Sequence, residues 1–169
     1  FVTAAPLFAF IGAMGGAVLV YLLAWKGGVK TVRLILAGVA VNAFFAGVSY
    51  LITILNNDKI QNIMLWLSGN LSGRSMYDVK LILPYSLIGL AAALAAIRPS
   101  NLLLFGDEKA GSLGLNITRS RILISLTASF LAAISTSLVG VISFVGLVIP
   151  HIVRLITGPN YKYLLPLSI

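Results

Sequence analysis

The 169-residue chain has no cysteine, one histidine and only four acidic residues. The lack of cysteine excludes disulfide bonds and thiolate metal sites. The single histidine, His151, has no second histidine or acid near it in the sequence to complete a metal site. Charged residues make up 9% of the chain, whereas soluble domains usually carry about 25%. The chain therefore has too little polar surface to cover a water-soluble globule.

Recognisable catalytic motifs are also missing. Asp107 and Glu108 are adjacent, so on a helix their side chains would point about 100° apart and could not flank one substrate bond. The chain contains no His-Glu-x-x-His and no Gly-x-Ser-x-Gly sequence. Segment 27–31 resembles a phosphate-binding loop, but Val29 stands before Lys30 where the motif has glycine. We therefore expect no catalytic residue, no cofactor and no metal in this chain.

What the chain has instead is long uncharged runs, the last of which extends from 122 to 150. A bilayer core needs about 20 apolar residues as a helix. The runs predict an all-α, polytopic bundle of transmembrane helices. Spans are expected at about 1–25, 34–57, 81–97 and 122–142. The chain opens inside the first run, and residues 164–169 read like the start of another span, so we expect a part of a longer polypeptide.

Basic residues set the expected orientation. Loops 26–33 and 98–121 together carry more Lys and Arg than the rest of the chain, and such enrichment is typical of cytoplasmic loops. We attribute the net charge of +8 to loop residues that contact lipid headgroups and set the orientation of the protein. We therefore expect no nucleic-acid partner. Residues 60–71 place apolar side chains at spacings of three and four, which predicts a short amphipathic helix at the outer face.

The segment 100–116 is the most informative part of the chain. It holds the adjacent charged residues Asp107, Glu108 and Lys109 together with glycines, and it lies between two uncharged runs. Such a loop adds nothing to stability within a bilayer. We predict two short helices with a glycine between them at the membrane surface, acting as a docking element for another protein. This interpretation indicates a transporter subunit that is driven by a separate protein.

The interior of the predicted spans carries few polar groups. No ionisable residue lies within them, which argues against proton coupling in this chain. Asn42 is the most polar side chain deep in a span, where it either hydrogen-bonds to a neighbouring helix or lines a transport pathway. Small residues recur four apart, as in Gly12 and Gly16 and in Ala43 and Gly47, and they favour close helix packing.

Residues 140–155 form a second unusual segment, because glycines and Pro150 interrupt an otherwise long apolar helix. A turn at membrane depth is tolerated only where it is buried in protein or lines a cavity. We predict an outer-face turn that involves Gly146, Pro150, His151 and Arg154. His151 is expected to be a structural hydrogen-bonding residue. Arg154 is expected to extend to the outer interface, with partner docking as the alternative.

Five stretches of the chain match a known family in their order and spacing, namely 36–42, 66–71, 101–114, 144–155 and 165–168. On these residues the chain resembles the permease subunits of binding-protein-dependent ABC importers for iron-siderophores, haem and cobalamin. The agreement extends over essentially the whole chain. The most specific block is Phe-Val-Gly-Leu-Val-Ile-Pro-His-Ile-Val-Arg at 144–154.

The resemblance implies a partial chain, about half of a ten-span permease, whose four spans look like the fourth to the seventh. It implies ATP-driven import across the bacterial cytoplasmic membrane. An iron-siderophore is the expected substrate, with haem, cobalamin and oxyanions as open alternatives. The implied partners are a cytoplasmic ATPase subunit, an extracytoplasmic substrate-binding protein and a second permease copy (a homodimer) or a paralogue, within the lipid bilayer.

The resemblance also implies roles for individual residues. The positions that match coupling helices, which would dock in a cleft of the ATPase, are Leu103, Leu104, Gly106, Asp107, Glu108, Lys109, Ala110, Leu113 and Gly114. Within this set the charged residues would orient the contact and the leucines would supply apolar surface. Thr31 and Val32 match the cytoplasmic gate loop. The span 34–57, which contains Asn42, would line the pathway at the homodimer axis.

Two other classes of protein stay open on the residues alone. A secondary transporter or channel subunit without an ATPase would need a coupling-ion site outside this chain. An intramembrane enzyme would need acids or histidines deep in a span, and the predicted spans have none.

Overall fold

The computed structural model describes residues 5–25, 31–55, 68–69, 75–140, 142 and 145–168. Its helices, in chain order, are α1 (Ala5–Ala24), α2 (Thr31–Leu55), α3 (Met76–Ala95), α4 (Ile97–Leu103), α5 (Asp107–Ser112), α6 (Ile117–Val139), α7 (Val145–Thr157) and α8 (Tyr161–Leu167). These ranges contain no strand, so the predicted all-α class is confirmed. The predicted outer helix at 60–71 lies outside the described residues apart from Ser68 and Gly69.

Four of these helices are long and apolar enough to cross a membrane: α1, α2, α3 and α6. The predicted polytopic membrane architecture is confirmed. Three of them begin several residues before the uncharged run from which they were predicted, so Arg33, Lys80 and Arg121 lie inside helices. Backbone hydrogen bonding does not stop at the edge of the hydrocarbon, because long charged side chains can extend to the headgroups.

Helix α3 begins at a capping residue, Ser75, and its end is separated from α4 by one residue, Ala96. The Ser75 backbone N–H donates to Asp78 Oδ2 at 2.8 Å, and an acid in the first turn also favours the helix dipole. At the other end, Ala96 keeps right-handed helical torsions (φ −78°, ψ −6°). The Ser100 N–H donates to the Ala96 carbonyl at 3.0 Å. Ala96 is therefore the only residue between the end of α3 and the start of α4.

The chain divides into two units, one formed by 1–74 with 133–141 and the other by 75–132 with 142–169. In the first, α1 packs on α2, and a Cβ on Gly16 would lie 3.6 Å from Phe45 Cε2. A Cβ on Gly12 or Gly47 would meet nothing within 4 Å. Of these three glycines, Gly16 alone lies close to the facing helix.

In the second unit, Gly89 of α3 faces two side chains of α6. A Cβ there would lie 2.9 Å from Leu131 Cγ and 3.4 Å from Phe130 Cδ1, both on α6. Real side chains do not approach this closely, so a larger residue at position 89 would displace the side chains of Leu131 and Phe130. Gly89 and Ala93, four residues apart, are both buried in α3.

Small side chains also dominate the buried apolar residues of the described ranges, which are Ala24, Ala37, Ala93, Ala110, Ala133, Ile134, Leu138 and Leu164. Large apolar side chains are mostly on the outside, such as Leu147, Leu155 and Ile156 of α7. In a membrane protein such surfaces meet lipid or other helices, where close backbone approach through small residues replaces a large apolar core.

Candidate coupling site

The segment predicted as two short helices contains α4 and α5, and their limits follow from two glycines. Gly106 has φ +89° and ψ 162°, a backbone region essentially restricted to glycine, and it separates α4 from α5. Gly114 has φ +82°. After it, the Leu115 N–H donates to the Ala110 carbonyl at 3.1 Å, which is the hydrogen bond of a Schellman helix ending. Glycine positions thus fix where the chain changes direction.

Asp107 and Arg121 form an ion pair within this segment. Arg121 Nη2 lies 2.8 Å from Asp107 Oδ1, with side chains that are 20% and 52% exposed respectively. Asp107 is the first residue of α5, and Arg121 lies in the first turns of α6. The pair therefore attaches the start of α5 to the start of α6. Asp107 was predicted to orient a contact with another protein, and the structure gives its carboxylate a partner within the chain.

Glu108 and Lys109 follow Asp107 and are both exposed. Within the part of the chain that the structure describes, neither makes an ion pair. Their charges are therefore presented to the surroundings.

The apolar surface of the segment differs in part from the prediction. Leu104 is 47% exposed and Leu113 is 63% exposed, whereas Leu103 is half-buried. Phe105, which the sequence analysis did not select, is 64% exposed beside Gly106. Ala110 was included among the contact residues, but its side chain is fully buried. Ala110 therefore supports the segment from within and offers no surface to a partner.

Two asparagines connect α4 to the turn before α8. Asn101 Nδ2 donates to Asn160 Oδ1 at 3.1 Å, and the Tyr161 N–H donates to Asn101 Oδ1 at 2.9 Å. Asn160 Oδ1 also accepts from the Lys162 N–H at 3.0 Å, which caps α8. We call this set of hydrogen bonds the asparagine bridge. No local spacing signals a pair 59 residues apart, so the sequence analysis missed it.

The predicted turn at Gly146, Pro150, His151 and Arg154 is wrong in its position. All four residues lie in one helix, α7, and glycines with positive φ stand on either side of it, at Gly140 (+79°) and Gly158 (+79°). Pro150 is accommodated inside this helix, as membrane proteins often allow.

The structure links the membrane side of Arg154 to that of segment 100–116. The Gly158 N–H donates to the Arg154 carbonyl at 3.0 Å, so Arg154 is one turn from the end of α7. Two residues after Gly158, Asn160 is hydrogen-bonded to Asn101 of α4. An outer-face Arg154 and a cytoplasmic segment 100–116 therefore cannot both hold.

The predicted gate and pathway residues all lie on α2. Thr31 and Val32 are in its first turn and exposed, and Asn42 is exposed further along the helix. Asn42 makes no side-chain hydrogen bond to another described residue, and its two predicted roles stay predictions. These residues belong to the first unit, whereas residues 100–116, the predicted coupling segment, belong to the second. Among the described residues, no cluster of His, Asp and Glu could hold a metal ion.

Four helices have the length and composition of membrane spans, namely α1, α2, α3 and α6. The chain is therefore a multi-pass membrane protein. The model of the FecCD transport family matches residues 1–169, and the chain belongs to that family. The resemblance inferred from the sequence is confirmed.

Relatives of known name agree with this assignment. The chain is 41% identical over 162 residues to the Fe(3+)-citrate import system permease protein YfmD of Bacillus subtilis, covering 96% of this chain and 48% of that protein. It is 40% identical over 161 residues to the cobalamin import system permease protein BtuC of Halobacterium salinarum, covering 95% and 44%. The chain thus spans about half the length of the curated relatives it matches.

A solved structure shows the same fold. It is described as an inward-facing conformation of a metal-chelate type ABC transporter, and it matches with a TM-score of 0.78 at 26% identity. The match covers 98% of this chain and 57% of that chain.

Proposed function

We propose that this chain is part of the permease subunit of a binding-protein-dependent ABC importer, and that it carries the contact with the ATPase. The observation that carries the proposal is the segment between α3 and α6. It presents the exposed apolar residues Leu104, Phe105 and Leu113 beside the free charges of Glu108 and Lys109. Apolar anchors with charges beside them are what a protein-docking surface requires.

The substrate we propose is an iron chelate of the siderophore or citrate type. Two observations support this class: membership of the FecCD family and the likeness to a permease named for Fe(3+)-citrate import. Cobalamin is the competing substrate, because a relative of similar identity is named for its import. Uptake of labelled ferric citrate, a ferric hydroxamate and cobalamin by cells with the full-length permease tests the choice.

The attachments of the segment support a mechanism. Helix α4 continues from α3 through Ala96, and α5 is attached to α6 by the Asp107–Arg121 pair. A push on the segment by an ATPase that closes around ATP would therefore reach two spans directly. An extracytoplasmic binding protein would deliver the chelate, and a second permease copy would complete the pathway along α2, with Thr31 and Val32 at its cytoplasmic end and Asn42 in its wall.

The orientation follows from the same assignment. If 97–116 contacts a cytoplasmic ATPase, the end of α7 and the 158–160 turn belong to the cytoplasmic side as well, because Asn160 is bonded to Asn101. This replaces the outer-face position first expected for Arg154.

Reversing the charge of Glu108 tests the docking role. In the full-length permease with its ATPase and binding protein, Glu108→Lys is expected to lower chelate uptake about tenfold, as the loss of a charged contact at an interface can. Insertion into the membrane should be unchanged, because Glu108 has no partner within the described chain.

Lys80→Glu is the matched control, since Lys80 is an exposed charge at the distant start of α3. Its uptake should stay within about twofold of the unaltered protein, since isolated surface charges contribute little. Normal uptake by Glu108→Lys would count against docking at this surface.

A further inference from the structure

We infer that the asparagine bridge is a second transmission route, which carries motion of α4 to α7 and α8. This inference rests on the proposed function, because it concerns what happens after an ATPase moves the coupling segment. The first route, along the backbone from α4 into α3, needs no side chain. The bridge adds a specific side-chain connection between α4 and α8, two helices that are far apart in sequence and that also pack against each other.

The geometry makes the bridge a specific connection. Asn101 uses both ends of its amide, since Nδ2 donates to Asn160 and Oδ1 accepts from the Tyr161 backbone. One side chain of α4 is thereby fixed at two points to the residues that begin α8. Two hydrogen bonds from a planar amide resist rotation as well as separation, which a single contact does not.

The flanking backbone explains why motion would pass through the bridge. Gly106 follows α4 with φ +89°, and Gly158 follows α7 with φ +79°. Asn160 Oδ1 also caps α8 through the Lys162 N–H. A shift of α4 therefore pulls on the first turn of α8 directly, and the two glycines are the points at which the neighbouring backbone can adjust.

The two asparagines differ in a way that can be tested. Toward the residues that the structure describes, Asn160 uses only its oxygen, which accepts from Asn101 and from Lys162, so Asn160→Asp keeps both of these hydrogen bonds. Asn101 needs its nitrogen as a donor, so Asn101→Asp would set a carboxylate oxygen against Asn160 Oδ1. We therefore expect Asn160→Asp to be tolerated and Asn101→Asp to fail, although each replaces the same residue type by the same acid.

The experiment uses the full-length permease with its ATPase and binding protein in liposomes. The probe is whichever of ferric citrate, a ferric hydroxamate and cobalamin the unaltered complex imports. The measured quantity is the amount imported per ATP hydrolysed. Asn101→Ala and Asn101→Asp should lower it about fivefold or more while ATP hydrolysis persists, whereas Asn160→Asp should leave it within about twofold. The double variant Asn101→Ala with Asn160→Ala should lose less than the combined losses of the two single variants, because each single variant already removes the bridge; the part that adds is the α8 cap, which Asn160→Ala also removes.

Thr157→Val is the matched control, since it removes a hydrogen bond within α7 (Thr157 Oγ1 to the Val153 carbonyl, 2.9 Å) and leaves the bridge intact. Amide exchange at Tyr161 gives a structural check and should be about five- to thirtyfold faster in Asn101→Ala. Unchanged import per ATP in Asn101→Ala, or additive losses in the double variant, would overturn the bridge alone. An unaltered complex that imports none of the three probes would overturn the proposed function and the bridge together.

Discussion

The two short helices on either side of Gly106 are attached to the rest of the chain by different chemistry. Helix α4 is held by the neutral amides of the asparagine bridge, and α5 is held by the ion pair between Asp107 and Arg121. Hydrogen bonds between uncharged groups depend on geometry and little on salt, whereas an ion pair that is half exposed is screened. The attachment of α4 should therefore be insensitive to salt, and the attachment of α5 should weaken as the salt concentration rises.

The largest expected effect comes from removing the break between the two helices. Gly106→Ala forces a side chain into a backbone region that costs about 1–3 kcal/mol for any residue but glycine. The full-length permease should therefore unfold at a lower temperature in detergent, and uptake should fall with it.

Gly111→Ala is the control for this change, because Gly111 lies inside α5 and its added Cβ would be 3.6 Å from Ile117 Cδ1, an ordinary contact. Alanine there should be neutral or stabilising by up to about 1 kcal/mol, since it favours helix over glycine. Equal losses in both variants would show that the backbone of Gly106 is not what separates α4 from α5.

The next effect concerns the attachment of α5. Arg121→Glu replaces attraction to Asp107 by repulsion, and we expect α5 to separate from α6 and chelate uptake to fall about fivefold, in line with the cost of like charges in contact. Arg119→Glu, an exposed residue in the first turn of the same helix, should have a small effect. The comparison is measured as uptake per ATP at constant ionic strength, and similar losses in the two variants would exclude a specific role for the pair.

The smallest effect is the response to salt. Raising the salt concentration from about 0.05 to 0.5 M should increase amide exchange in α5 by no more than about threefold, because a partly exposed ion pair contributes only about 0–1 kcal/mol. Exchange at Tyr161, whose N–H is bonded to the neutral Asn101, should not change. An equal response at both places would mean that the two attachments are not chemically distinct.

Sequence patterns predicted the spans well and their starting points poorly. Uncharged runs identify the hydrocarbon core, but Arg33, Lys80 and Arg121 show that each helix begins before that core does. Charge excluded these residues from the predicted spans, although a charged side chain is compatible with a helix at the interface.

The coupling segment shows a similar division. Its short helices and the central glycine were predicted because glycine and charge are local signals. The exposure of individual side chains was less predictable. The side chain of Phe105 is exposed and that of Ala110 is buried, and both depend on how the short helices pack. The asparagine bridge and the position of Arg154 depend on contacts across 59 residues, for which a single sequence carries no spacing rule.

The helical torsions of Ala96 have a consequence for the permitted length of this region. Because only Ala96 separates α3 from α4, the angular position of Asn101 depends on the residue count from Gly89, which faces Leu131 of α6. Inserting or deleting one residue between them would rotate Asn101 by about 100° around the helix axis, away from Asn160. A substitution between Gly89 and Asn101 leaves the orientation of α4 relative to α3 unchanged. An insertion or deletion there would change it.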